Sequence, residues 1–185
     1  MFLEGAVMTK EAMVKIYDDE GNNAGVTSRI EAEQKGLIIA TVVVAIFSLD
    51  DEIWLSLRSH NKNTHPGMWD ISVAGCVDAG DETNLIAAER EVKEETGLEL
   101  NLVSAGRLKF VFEENGANVV RLPEIFVGQT AEIPQITDQE ADDFAKYPIN
   151  VFNENFTNHP NMYVPAIKQE IDVAFKKLKE EMRNV

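Results

Sequence analysis

The sequence predicts an α/β or α+β fold built around a mixed β-sheet, and three segments carry that expectation. Leu37 to Ser48 is β-branched and almost continuously apolar, as in a strand covered on both faces. Glu82 to Thr96 has a helical pattern, and Gly97 stands where a helix would end. Val164 to Met182 places Ile167, Ile171, Phe175 and Leu178 at helical spacing, an amphipathic helix. Strands interspersed with helices imply layers around the sheet.

The remaining elements follow in order. Met13 to Tyr17 has strand composition, and Asp18 to Asn23 is a turn rich in residues that tolerate positive φ. Ala24 to Arg29 reads as the return strand and Ile30 to Lys35 as a short helix closed by Gly36. Residues 1–35 thus read as a hairpin and short helix appended to a single domain spanning 1–185. Leu49 to Glu52 is a turn, after which Ile53 to Leu57 pairs back as a hairpin. Ser59 to Pro66 is polar and irregular. Leu108 to Phe112 and Val119 to Val127 read as strands around Glu114-Asn115-Gly116, and Asp138 to Tyr147 as a loop and short helix.

Composition narrows the function. The 185 residues carry 17 Lys+Arg against 32 Asp+Glu, a net charge of −15. Such a surface repels nucleic-acid phosphates at long range, so no nucleic-acid partner is expected. A phosphate substrate stays open if a divalent metal cancels carboxylate charge locally. The single Cys76 excludes an internal disulfide and a thiolate zinc cluster. The apolar run from Leu37 to Phe47 falls short of the roughly 20 residues that span a bilayer. With no basic segment before an apolar stretch at Met1 to Gly5, a cytoplasmic protein without membrane attachment is expected.

The chemistry concentrates between Gly75 and Leu98. On a helix, Glu91, Glu94 and Glu95 stand at i, i+3 and i+4 and share one face, with Leu85, Ala88 and Val92 on an adjacent face suited to the sheet. The acids repel one another and lie near the helix C-terminus, where the macrodipole disfavours negative charge. A hard divalent cation with oxygen ligands relieves both penalties. The bland alternative is a solvated glutamate-rich face.

The spacing around these acids resembles the Nudix box, Gly-x5-Glu-x7-Arg-Glu-(apolar)-x-Glu-Glu-x-Gly-(apolar). Arg90, Glu91, Val92, Glu94, Glu95, Gly97 and Leu98 match, and Glu82 lies eight before Arg90. One position departs: Cys76 stands six before Glu82, and Gly75 is one residue early. Either the loop carries an insertion, or Asp81 takes the first acidic position. Leu57-Arg58-Ser59 to Lys62 and Pro66-Gly67-Met68-Trp69-Asp70 to Gly75 resemble the branch that holds isopentenyl-diphosphate isomerases and their hydrolase relatives.

The resemblance implies a Nudix-type α/β/α sandwich and a hydrolase of a diphosphate linkage in a nucleoside-diphosphate-type substrate. It implies Mg²⁺ or Mn²⁺ on the box helix and attack of a metal-activated water on phosphorus. Carried over by position, Glu94, Glu95 and the Gly75 carbonyl are metal ligands. Glu91 is a ligand or the general base, with Arg90 holding it. Glu140, in Asp138 to Asp143, is a candidate further acid from a late loop, and otherwise a solvated helix start. Arg58 and Lys62 are candidate cations for the diphosphate, and otherwise surface charge. Trp69 is a candidate stacking face, and otherwise core. His60, His65 and His159 lack metal-ligand spacing, and Cys76 reads as a small buried residue.

Two other functions fit the residues less well. The isomerases use a Cys just before the box glycine, where this chain has Ala74. They bind metal through histidines where it has Cys76 and, by approximate alignment, Ala32 and Ile39. A non-catalytic nucleotide or ADP-ribose binding module is the other alternative, but such modules usually lose box carboxylates. The C-terminal helix allows a homodimer, although its stripe packing on its own sheet is simpler.

Overall fold

Alternate residues of the long apolar strand face opposite ways, and both faces are covered. The computed structural model describes residues 12–114 and 117–183. In it β3 (Ile38–Ser48) is buried along its whole length. Val43, Ala45 and Phe47 join one core with Phe152, Ile167, Ile171, Ala174 and Leu178. Ala40, Val42, Val44 and Ile46 join the other with Ala87, Ala88 and Val92. Helices α3 (Ile149–Asn158) and α4 (Ile167–Arg183) therefore cover one face, and α2 (Asn84–Thr96) the other. The expected mixed sheet between helical layers is present.

One edge of β3 runs parallel to β9 (Ala117–Thr130), from Ile39↔Arg121 to Ser48↔Thr130. The other edge takes three antiparallel partners in succession. These are β1 (Met13–Tyr17) at Ile16↔Ile39, β6 (Val73–Cys76) at Thr41↔Cys76 to Val44↔Val73, and β4 (Glu52–Arg58) at Phe47↔Ile53. The expected Leu37–Leu57 hairpin is therefore reduced to one residue pair. Strand β4 leaves β3 to pair with β5 (Trp69–Asp70) and β10 (Ala141–Pro148), and β6 occupies the vacated edge.

The N-terminal hairpin forms as expected. β1 pairs with β2 (Asn23–Ser28), and α1 (Arg29–Lys35) starts at a Ser28 cap and ends at Gly36, φ 63. β1 also braces the loop after β6. Lys15 N–H donates to the Val77 carbonyl at 2.9 Å, and Ala79 N–H to the Met13 carbonyl at 2.9 Å.

Several elements differ from the sequence reading. Residues 141–148, expected within a loop and helix, form β10. Its acidic residues are tolerated because it is an edge strand with one side open to water. β7 (Val103–Arg107) was not anticipated, and neither was α3. β7 and β8 (Phe110–Glu114) both lie against β9. The turn residues Asn115 and Gly116 lie outside the described residues, as do residues 1–11. Helix α2 starts at Asn84 behind a Thr83 cap, so Glu82 precedes it. Leu85 faces solvent, and Ala87 takes the buried position expected of it. Among the described residues no helix is long and apolar enough to cross a membrane.

Phe47 is fully buried between β3 and α4, in contact with the Phe175 ring. Phe47→Ala should cost about 3–5 kcal/mol in urea unfolding. A loss under about 1 kcal/mol would contradict the packing of α4 on the sheet.

Candidate active site

Strand β6 and helix α2 meet at Gly75 and Glu91. A Cβ placed on Gly75 would lie 2.1 Å from the Glu91 Cδ, so only glycine lets this carboxylate lie on the strand. The spacing therefore runs from Gly75, and six residues on is Asp81, not Glu82. Asp81 is buried and meets Arg90 twice, at 2.9 Å to Nη2 and 3.2 Å to Nε. Glu82 is exposed in the turn before the helix. The extra residue lies between Asp81 and α2, and Glu82 is displaced from the site by it.

Arg90 organises the rest. Its Nη1 donates to Glu91 at 2.9 Å and to Glu94 at 3.0 Å, and its Nη2 to the Cys76 carbonyl at 3.1 Å. Asp81 is held in turn by Asp78 N–H at 2.8 Å, and Lys15 Nζ donates to the Asp81 carbonyl. One guanidinium thus ties helix, strand and loop together with charge-assisted bonds.

The carboxylates lie at different depths along one cleft of about 400 Å³, whose wall includes Gly75, Glu91, Glu94 and Glu95. The Glu94 side chain is 55% exposed and that of Glu91 14%, while Glu95 is buried. Burial raises the Glu91 carboxyl, against the opposing pull of Arg90. Burial raises Glu95 well above the carboxylate range, reinforced by the charges of Glu91, Asp138 and Asp70. Burial also works against ionised Asp81, yet its bonds to Arg90 and the Asp78 N–H hold it below that range.

Across the cleft, Arg58 and Lys62 both line the wall, and both are engaged. Arg58 donates to Asp70 at 2.9 Å and to the Thr64 carbonyl at 3.0 Å. Lys62 pairs with Glu140, which also lines the cleft. Burial and the Arg58 charge lower the Lys62 ammonium, and burial raises Asp138. Trp69 is not part of this wall. It sits edge-on to Tyr147 and packs against the α4-side core, so the stacking expectation is corrected to a packing role. His65 lines the cleft, whereas His60 is exposed with Nδ1 2.6 Å from Asp142. Burial raises the Cys76 thiol, consistent with an inert residue.

Sequence reasoning missed Asp70, Asp138, Glu170, Arg29 and Arg121, all of which line the cleft. For Glu170 a signal existed. It falls on the buried stripe of α4 with Ile167, Ile171, Ala174 and Leu178, where an apolar residue is the norm.

Among the described residues no three His, Cys, Asp or Glu side chains form a ready-made metal cage. Arg90 instead bridges the acids that line the entrance. The donor set is oxygen-only, with the Gly75 backbone on the same cleft wall and Glu91 and Glu95 withdrawn from solvent. That chemistry suits a hard divalent cation.

Fold and site together define a Nudix-type domain. The profile described as the NUDIX domain matches residues 37–164, and the chain belongs to this family. It is 26% identical over 151 residues to an isopentenyl-diphosphate Delta-isomerase of Pectobacterium atrosepticum, covering 81% of this chain and 84% of that one. It is 43% identical over 87 residues to Nudix hydrolase 3 of Arabidopsis thaliana, covering 46% of this chain and 11% of that much longer one. The NUDIX domain of a Shewanella oneidensis protein, solved in complex with ADP ribose, superposes with a TM-score of 0.62 at 16% identity. The match covers 82% of this chain and 99% of that one.

Asp81→Ala should cost about 1–3 kcal/mol in urea unfolding, because it removes two charge-assisted bonds from half-buried Arg90 and leaves the Asp78 N–H unpaired, whereas Glu82→Ala should stay within about 0.5 kcal/mol. Equal effects would contradict the register that runs from Gly75 to Asp81. Burial raises the Glu170 carboxyl from 4.5 to about 8, with the Asp70 charge adding to it. The folded state then keeps a proton that the unfolded chain releases, so Glu170 lowers stability as pH rises from about 4.5 to about 8. Glu170→Gln should flatten that part of the stability–pH curve. An unchanged slope would show the carboxyl to be solvated.

Proposed function

We propose that this chain is a divalent-metal-dependent hydrolase of a diphosphate linkage in a small nucleoside-diphosphate-type substrate. The observation that carries this reading is the Arg90 bracket on Glu91 and Glu94, beside buried Glu95 and the side-chain-free Gly75. Glu91, Glu94, Glu95 and the Gly75 carbonyl are the residues that would hold Mg²⁺ or Mn²⁺. When bound, such an ion polarises phosphate oxygens and lowers the pKa of a water.

The chain's own residues do the rest. Arg90 holds Glu91 and Glu94 in register and limits their repulsion. Glu91 is a ligand or the acceptor of the water proton. Lys62 turns from Glu140 toward the diphosphate, and Arg58, fixed by Asp70 and Thr64, adds positive potential without moving.

A second reading, a binding module without turnover, draws support from the relative solved with ADP ribose. The presence of Arg90, Glu91, Glu94 and Glu95 favours turnover instead. Isomerase chemistry is disfavoured by Ala74 on the cleft wall, since a methyl group cannot transfer a proton.

A chromatographic screen for the two phosphate-bearing products of diphosphate cleavage, over nucleotide sugars, dinucleotides, nucleoside triphosphates and isopentenyl diphosphate, tests the proposal. With Mg²⁺ or Mn²⁺ one class should be hydrolysed, EDTA should abolish turnover, and Glu94→Gln should lower it by about 100-fold or more. Tight binding of one class with no turnover would support the binding module and contradict the hydrolase.

A further inference from the structure

Val164, Ala166 and Glu170 line the same cleft as the α2 acids. Val164 and Ala166 immediately precede α4, and Glu170 lies in its first turn. Glu170 is 5% exposed. Among the described residues no hydrogen bond or ion pair reaches its carboxyl. The neighbouring groups are engaged elsewhere: Arg58 donates to Asp70 and Thr64, and Lys62 to Glu140. Asp70 adds repulsion rather than a partner, since it accepts from Arg58 at 2.9 Å and from Ile71 N–H at 2.8 Å. The α4 dipole offsets part of a negative charge there but supplies no directed bond.

A carboxyl in this position costs stability. A leucine would continue the apolar stripe of Ile167, Ile171 and Ala174 without that cost. The carboxyl does border the cleft, and there a ligand can complete its hydrogen bonding.

We propose that Glu170 determines specificity: its carboxyl binds a hydroxyl or N–H of the group joined to the diphosphate, so the cleft takes a nucleoside-diphosphate-type ligand over a hydrocarbon-chain diphosphate. The inference rests on the reading of the cleft as a diphosphate site. A ligand with a polar group at this depth satisfies Glu170. An alkyl chain leaves the carboxyl buried and unpaired, and a site built for a polar group rejects such an analogue strongly.

The test is calorimetric titration of ADP-ribose and of isopentenyl diphosphate with Mg²⁺, alongside turnover and melting temperature. Wild type, Glu170→Gln and Glu170→Leu are compared, and Glu170→Met replaces the Leu variant should that one not fold. Wild type should bind ADP-ribose at least about tenfold more tightly than isopentenyl diphosphate. Glu170→Leu should weaken ADP-ribose by about tenfold or more, leave isopentenyl diphosphate within about threefold, and melt higher than wild type. Glu170→Gln, which still offers hydrogen bonds, should retain most ADP-ribose affinity. Equal loss for both ligands, no loss for either, wild-type preference for isopentenyl diphosphate, or binding of neither overturns the proposal. Selective binding without hydrolysis would sink the hydrolase reading and leave this one standing.

Discussion

The site depends on one guanidinium. Arg90 is the point where the Asp81 loop, the β6 strand and the α2 helix are joined, through Asp81, the Cys76 carbonyl, Glu91 and Glu94. Removing it would leave facing acids on a helix end where the dipole already disfavours them. Lysine could not replace it, because a single ammonium lacks the planar fork that serves several acceptors at fixed angles. Gly75 is the second half of the same constraint. Its missing side chain lets Glu91 lie on the strand, and that contact sets the register of the helix on the sheet.

The sheet's split places the opposite wall. β4 leaves β3 after one residue pair, and β5 and β10 follow it. That divergence carries Arg58, Lys62 and Glu140 to the far side of the cleft from α2. In a chain of net charge −15, the cleft also gathers Arg29 and Arg121 on its wall. With Arg58 and Lys62 these cations still face more acids than they offset, so an anionic substrate would enter only with a divalent cation to cancel carboxylate charge. The N-terminal hairpin contributes as well, since β1 holds the Val77–Asp81 loop by its backbone.

Much of this was legible in the sequence because it rests on periodicity. The continuous apolar run of β3, the α2 acids and the α4 stripe are local patterns, and each of these elements formed where its pattern indicated. What was not legible depends on long-range partners. Asp142 and Asp143 obscured β10, because only its edge position lets water take the acids. The β3–β4 hairpin was over-read because β6 competes for the same edge from later in the chain. Glu82 matched by counting back from Arg90, but counting from Gly75 reaches Asp81, and only the contact between Gly75 and Glu91 decides between them. Trp69 reads as core or site in the sequence, because its partner Tyr147 lies on β10, far along the chain. Glu170 sits among the apolar positions of the α4 stripe, and only the cleft beside it gives a carboxyl a use there.

The proposal at the centre is that Glu91, Glu94 and Glu95 of α2 form the seat of a divalent cation. The most direct measurement is a Mn²⁺ titration followed by electron paramagnetic resonance, on wild type and on the Glu91→Gln/Glu95→Gln double variant, each checked for retained fold by circular dichroism. The account predicts one tight equivalent of Mn²⁺ in wild type and affinity weakened by about tenfold or more in the variant. Equal Mn²⁺ binding by both proteins would contradict it.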